Sequence, residues 1–69
     1  MLSKPNLKAV TIARQHLNTG NPGGFARAIS ALHRVSNTRQ QVALDEVIAE
    51  TGTANLFTRR NGALIAAEG

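Results

Sequence analysis

Phe57-Thr58-Arg59-Arg60-Asn61-Gly62-Ala63-Leu64-Ile65-Ala66 places two four-residue runs around an Asn-Gly pair. Asn-Gly is the dipeptide best suited to a two-residue type I′ turn, whose central residues both take positive φ. A β-hairpin is therefore expected here, with Arg59 and Arg60 next to its tip. The competing reading is a short helix from Asn55 to Arg60, with Gly62 as its cap and a loose apolar end. The run Ala63-Leu64-Ile65-Ala66-Ala67 is too short to hold a helix by itself, which favours the hairpin. In either case Leu56, Phe57, Leu64 and Ile65 must be covered. The whole tail runs from Thr53 to Gly69.

Upstream of this tail the periodicity is helical. Leu7, Val10, Ile12, Ala13 and Leu17 recur at three- and four-residue steps, which predicts a helix over about 5–19. Ser3 or Asn6 can cap its start, with Pro5 tolerated in the first turn, and Gly20 supplies a left-handed C-cap. Asn21-Pro22-Gly23-Gly24 is the clearest break in the chain, and Asn21 can cap a second helix that has Pro22 at its first position. That helix is expected over 22–35, with Phe25, Ile29, Leu32 and Val35 in one stripe. Arg27 and Arg34, seven apart, share a face. Ser36 and Asn37 end it. A third helix is expected over 39–51, capped by Thr38 with Gln41 completing a capping box. Its apolar face would comprise Val42, Leu44, Val47, Ile48 and Ala49, and Gly52 closes it.

The expected fold is thus mainly α. It is one small domain, 1–69, with a compact three-helix unit and a C-terminal hairpin or short fourth helix. At 69 residues and 7.3 kDa the chain has room for one marginal core, and no cysteine is present to staple it or to hold zinc. With 42% hydrophobic residues it is too apolar for a disordered tail. With two Phe and no Trp or Tyr it lacks an aromatic platform for single-stranded bases. The start is not a signal peptide, and no run reaches the length of a membrane span. The expectation is a soluble, cytoplasmic protein.

Charge is unevenly spread. Lys4, Lys8, Arg14, Arg27, Arg34 and Arg39 precede every acid, whereas Arg59 and Arg60 share the last third with Asp45, Glu46, Glu50 and Glu68. The net charge is +4, and such asymmetry suits a polyanionic partner.

Nothing in the pattern builds a catalytic or metal site. His16 and His33 lie on different helices, remote in sequence from the acids, and read as packed or surface histidines. Asp45, Glu46 and Glu50 read as a solvated helix face. Ser3, Ser30 and Ser36 have no nucleophile-elbow context, and Gly20–Gly24 is followed by no lysine at phosphate-loop spacing. No enzyme and no cofactor is expected.

Three helices followed by a hairpin is the plan of a winged helix-turn-helix, in which one helix enters the major groove and the wing reaches a neighbouring groove. In that plan Thr38, Arg39, Gln40 and Gln41 begin the recognition helix, since Arg forks onto guanine and Gln onto adenine. Arg59 and Arg60 tip the wing, and Arg27 and Arg34 hold phosphates. Asp45, Glu46 and Glu50 on the later turns would oppose this unless they point away. In a second register Leu44–Gly52 is a scaffold helix and residues 53–60 the recognition helix.

Within that register, Ala49-Glu50-Thr51-Gly52 followed by Leu56-Phe57, together with Asn21-Pro22-Gly23-Gly24-Phe25-Ala26, resembles helix-turn-helix antitoxins of the addiction-module antidote type, relatives of phage repressors. The resemblance touches residues 9–60. It implies operator binding and autoregulation, with Asn55, Thr58, Arg59 and Arg60 on the groove side.

A reading of a different class is a small phage- or plasmid-type inhibitor or adaptor that docks on a larger protein. Leu56, Phe57, Leu64 and Ile65 would then form the partner surface or a dimer seam. The leading expectation is a non-enzymatic, dimeric regulator that binds double-stranded DNA.

Overall fold

The computed structural model describes residues 7–67, apart from the Leu7 side chain. Helix α1 spans Leu7–Asn18, α2 spans Pro22–Arg34 and α3 spans Thr38–Thr51. A single 3-10 turn, Ala54–Leu56, leads into strands β1 (Phe57–Arg60) and β2 (Ala63–Ala66). The architecture is therefore mainly helical with a C-terminal antiparallel hairpin. The expected capping residues Ser3 and Asn6, and Pro5, lie outside the described residues.

Local chemistry accounts for most boundaries. Gly20 ends α1 at φ 78°, and the Asn21 amide donates to the His16 carbonyl at 2.7 Å. The Asn21 side chain then accepts from the Gly24 amide at 3.0 Å, with Pro22 at the helix start. This double use of Asn21 satisfies orphan groups of two helices within three residues. Gly52 closes α3 in the left-handed region, as expected.

The cap of α3 sits one residue earlier than the sequence reading placed it. Asn37, not Thr38, is the N-cap: its side chain accepts from the Gln40 amide, and the Gln40 side chain accepts from the Asn37 amide, both at 2.9 Å. Gln40 rather than Gln41 therefore completes the capping box. Asn ranks above Thr as a cap, and Asn37, read from the sequence as ending α2, begins α3 instead.

Element α2 is central, packed against α1, β2 and, more lightly, α3. The core comprises Val10, Ala13, Phe25, Ile29, Leu44, Ile48 and Leu64, and Phe25, Ile29 and Leu44 are its fully enclosed large side chains. The Phe25 and Phe57 rings meet edge to face at 6.1 Å, a favoured aromatic geometry. At the end of α3 the buried Thr53 hydroxyl pairs with that of Thr51 at 2.8 Å, so its burial leaves no orphan.

Three apolar residues assigned to core stripes prove exposed: Ile12 at 47%, Val42 at 54% and Val35 at 79%. Ala49 is exposed as well. Helix α2 stops at Arg34, so Val35 is the C-cap and leaves the stripe of Phe25, Ile29 and Leu32. Val42 lies two residues from the buried Leu44, about 200° around the helix, and Ala49 is similarly turned outward.

The tail is a hairpin, with Asn61 at φ 53° and Gly62 at φ 81°, as an Asn-Gly turn requires. Cross-strand partners are Phe57 with Ala66, Thr58 with Ile65, Arg59 with Leu64 and Arg60 with Ala63. Partners share a face, so Phe57, Arg59, Leu64 and Ala66 form one side of the ribbon, and Thr58, Arg60, Ala63 and Ile65 the other. The first side covers the helices: Leu64 is 5% exposed and Phe57 packs on the core.

Candidate nucleic-acid interface

The alternation of the hairpin separates the two arginines that the sequence sets side by side. Arg60 stands on the outer face beside Ala63 and is exposed. Arg59 stands on the inner face at its rim, where its Nη2 donates to Asp45 Oδ1 of α3 at 3.0 Å. A carboxylate on the middle of α3 thus already holds the arginine expected to meet nucleic acid. Both groups keep access to water, with 53% of the Arg59 and 41% of the Asp45 side chain exposed, so this tie is a modest one.

The same carboxylate faces a histidine. His33 Nε2 lies 3.6 Å from Asp45 Oδ1, with only 4% of the imidazole side chain exposed. It has no hydrogen-bond partner. His33 is thus a packed histidine, held at the end of α2 where its carbonyl accepts from Gln41 Nε2 at 3.0 Å. Three elements converge on one oxygen: α2 through His33, α3 through Asp45 and β1 through Arg59. Beside them a cleft of about 320 Å³ is lined by Ile48, Ala49, Ala54, Phe57, Thr58 and Leu64 as well as by the Asp45–Arg59 pair.

Two proposed base readers are placed elsewhere than expected. Gln40 is spent on the capping box and Gln41 on the His33 carbonyl, and both are half-buried. The physical reason is angular. At 100° per residue, Gln41 and Gln40 lie about 60° and 40° to either side of Leu44, the residue that points into the core. The outward stripe of α3 is instead Thr38, Arg39, Val42, Glu46 and Ala49, all exposed.

The second helix-turn-helix register is also corrected. Residues 54–56 make one 3-10 turn and residues 57–60 a strand, so no recognition helix follows Gly52. Asn55, Thr58, Arg59 and Arg60 share no helical face.

Arg27 and Arg34 behave as the spacing implied. Both are exposed on α2. They lie about 20° apart around its axis and about 10 Å apart along it. Ala31 between them is exposed too, and α2 contains no acid. Arg39 follows on the first turn of α3. Among the described residues, Arg27, Arg34, Arg39 and Arg60 make no ion pair, whereas Arg14 is bound to Glu50 at 3.1 Å. The cations thus divide into paired ones that tie elements together and unpaired ones that face water.

The proposed partner residues divide likewise. Leu64 belongs to the interior, and Leu56 and Phe57 pack around it, so Leu64 is not available as a dimer seam. Ile65 is half-buried on the outer face of the hairpin. The large apolar side chains offered to solvent are Ile12, Val35 and Val42, which periodicity had assigned to the core. Among the described residues no group of three or more His, Asp or Glu side chains could hold a metal ion, and no helix is long and apolar enough to cross a membrane. No family model matches the chain, and comparison with curated proteins and with solved structures finds no match.

Proposed function

We propose that this protein is a small, non-enzymatic DNA-binding regulator of the cytoplasm that acts as a dimer. The observation that carries the reading is the acid-free outer stripe of α2, with Arg27 and Arg34 exposed and unpaired and Arg39 following at the start of α3. Unpaired guanidinium groups on one helix face suit phosphate oxygens, which they can fork onto in bidentate geometry. The order of three helices and a hairpin supports a winged arrangement, with Thr38 and Arg39 leading α3 and Arg60 on the outer face of the wing.

The electrostatic term makes this measurable. Each phosphate neutralised contributes about −0.9 to the slope of log K against log[salt]. Contacts from Arg27, Arg34, Arg39 and Arg60 give a slope of about −3.6 per protomer. Fluorescence anisotropy on a short duplex, across a sodium chloride series from about 50 mM upward, tests it. An Arg27→Ala, Arg34→Ala double variant should make the slope shallower by about 1.8. An unchanged slope in a folded variant refutes the assignment.

A second reading rests on Val35, Val42 and Ile12, large apolar side chains exposed among the described residues, because apolar surface left open to water is what a docking partner covers. They would serve a module that docks on a larger protein, of the phage- or plasmid-type inhibitor class. Absence of any DNA complex at low salt, with a stoichiometric protein complex recovered from host lysate, would select it.

A further inference from the structure

Among the described residues, the junction of His33, Asp45 and Arg59 is where a buried side-chain nitrogen, His33 Nε2, lacks a hydrogen-bond partner. A buried unpaired nitrogen costs about 1–3 kcal/mol and calls for a physical account. Asp45 Oδ1 lies 3.6 Å from it and is already engaged by Arg59 at 3.0 Å. We propose that this junction is a proton-controlled latch on Arg59: neutral His33 leaves Asp45 to hold the arginine back, and protonated His33 takes over the carboxylate and releases Arg59 to a phosphate. The proposal rests on the nucleic-acid reading above and supplies its regulation.

The argument is one of competition for a single oxygen. With His33 neutral, Asp45 has one cationic partner, and its attraction to Arg59 is unshared. A protonated imidazole carries donors on both ring nitrogens, so Nε2 becomes a charged donor facing that oxygen. This new pair lies on the buried side of the carboxylate, where screening by water is weakest, whereas the Arg59 side is open to solvent. The two cations then share one carboxylate and each is held less firmly, and the half-exposed guanidinium, which water can resolvate, is the partner free to leave. Protonated His33 is itself neutralised by Asp45, so the surface gains one free cation, that of Arg59.

Among the described residues the surroundings add no competing group. Against the end of α2 that carries His33, α3 presents Asp45, while Glu46 points outward and Glu50 is held by Arg14. Strand β1 presents Arg59 to the junction, its Arg60 standing on the opposite face, and β2 carries no titratable residue. On α2 itself Arg34 is exposed. From α1 the charged or titratable groups are Lys8, Arg14 and His16, and His16 Nδ1 lies 3.5 Å from Asn21 Nδ2 at the other end of α2.

The test is the salt slope of duplex binding for the full chain at about pH 5.5 and about pH 8, in phosphate-free buffer. One additional phosphate contact at the lower pH should steepen the slope by about 0.9. Asp45→Asn should show the steep slope at both pH values, and His33→Gln the shallow slope at both. His16→Gln should keep the wild-type difference. Circular dichroism establishes that each variant folds, and Asp45→Asn, at a half-exposed site, carries the test should His33→Gln unfold. Arg59 side-chain ¹⁵N resonances of the free protein are followed in parallel. They should shift with pH in wild type and not in Asp45→Asn. A pH-dependent slope that survives in Asp45→Asn, or Arg59 resonances that do not follow pH, overturns the latch. Arg59 resonances that follow pH in a protein that binds no duplex uphold the latch and overturn the nucleic-acid reading instead.

Discussion

Leu64→Ala tests how the hairpin is held. Leu64 is 5% exposed and reaches the core from β2, alongside Phe57 on the same ribbon face. Truncating a buried leucine costs about 2–5 kcal/mol, the lost transfer energy plus the cavity left behind. A residue on a two-stranded ribbon at the edge of the core can be partly recovered by collapse, so about 2–3 kcal/mol is expected. A domain of this size has about 3–10 kcal/mol in total, at about 0.05–0.15 kcal/mol per residue. The loss is therefore a large fraction of the whole. A two-stranded hairpin is at best marginally stable without a packing partner, so weakening its buried anchor should also loosen it from the helices. Thermal unfolding followed by circular dichroism should show a Tm lower by about 10–20 °C. Amide exchange in residues 57–66 should accelerate more than in α2. Ile65→Ala, one residue on and on the opposite face, should cost less than half as much. A fall of under about 3 °C for Leu64→Ala, or equal losses for the two variants, would refute the assignment of inner and outer faces.

Two further expectations follow from backbone chemistry. Asn37→Ala should cost about 1 kcal/mol, or a Tm lower by about 4–8 °C, whereas Thr38→Ala, inside the helix, should be nearly neutral; the reverse order would return the cap to Thr38. A Cβ at Gly62 meets nothing within 4 Å, so Gly62→Ala carries only the left-handed backbone penalty, about 1–2 kcal/mol. Chemical denaturation should show that loss without a change in m value, and a neutral variant would contradict the positive φ of the turn.

Much of the fold was legible in local signals. Asn21-Pro22, Gly20, Gly52 and Asn61-Gly62 set helix ends and the hairpin turn through hydrogen bonds and dihedral preferences that span three or four residues. The Asn37 cap was missed by one position because two adjacent residues can do the same chemistry. Gln40 and Gln41 were misread because a motif says which residue types suit a base edge, while the helix phase relative to Leu44 says where they point.

The sequence by itself determined the three helices, the breaks between them and the surplus of cationic side chains, since each depends on neighbours in the chain, and it favoured the hairpin over a short fourth helix without deciding between them. Only the tertiary structure decided which apolar residues reach the interior, leaving Ile12, Val35 and Val42 outside while burying Leu64. It alone decided that Arg59 turns inward to Asp45 and His33 while Arg60 turns out. Burial and ion pairing depend on how helices and ribbon rotate against one another, and that rotation is set by packing over the whole core. Two arginines adjacent in sequence can therefore meet opposite environments.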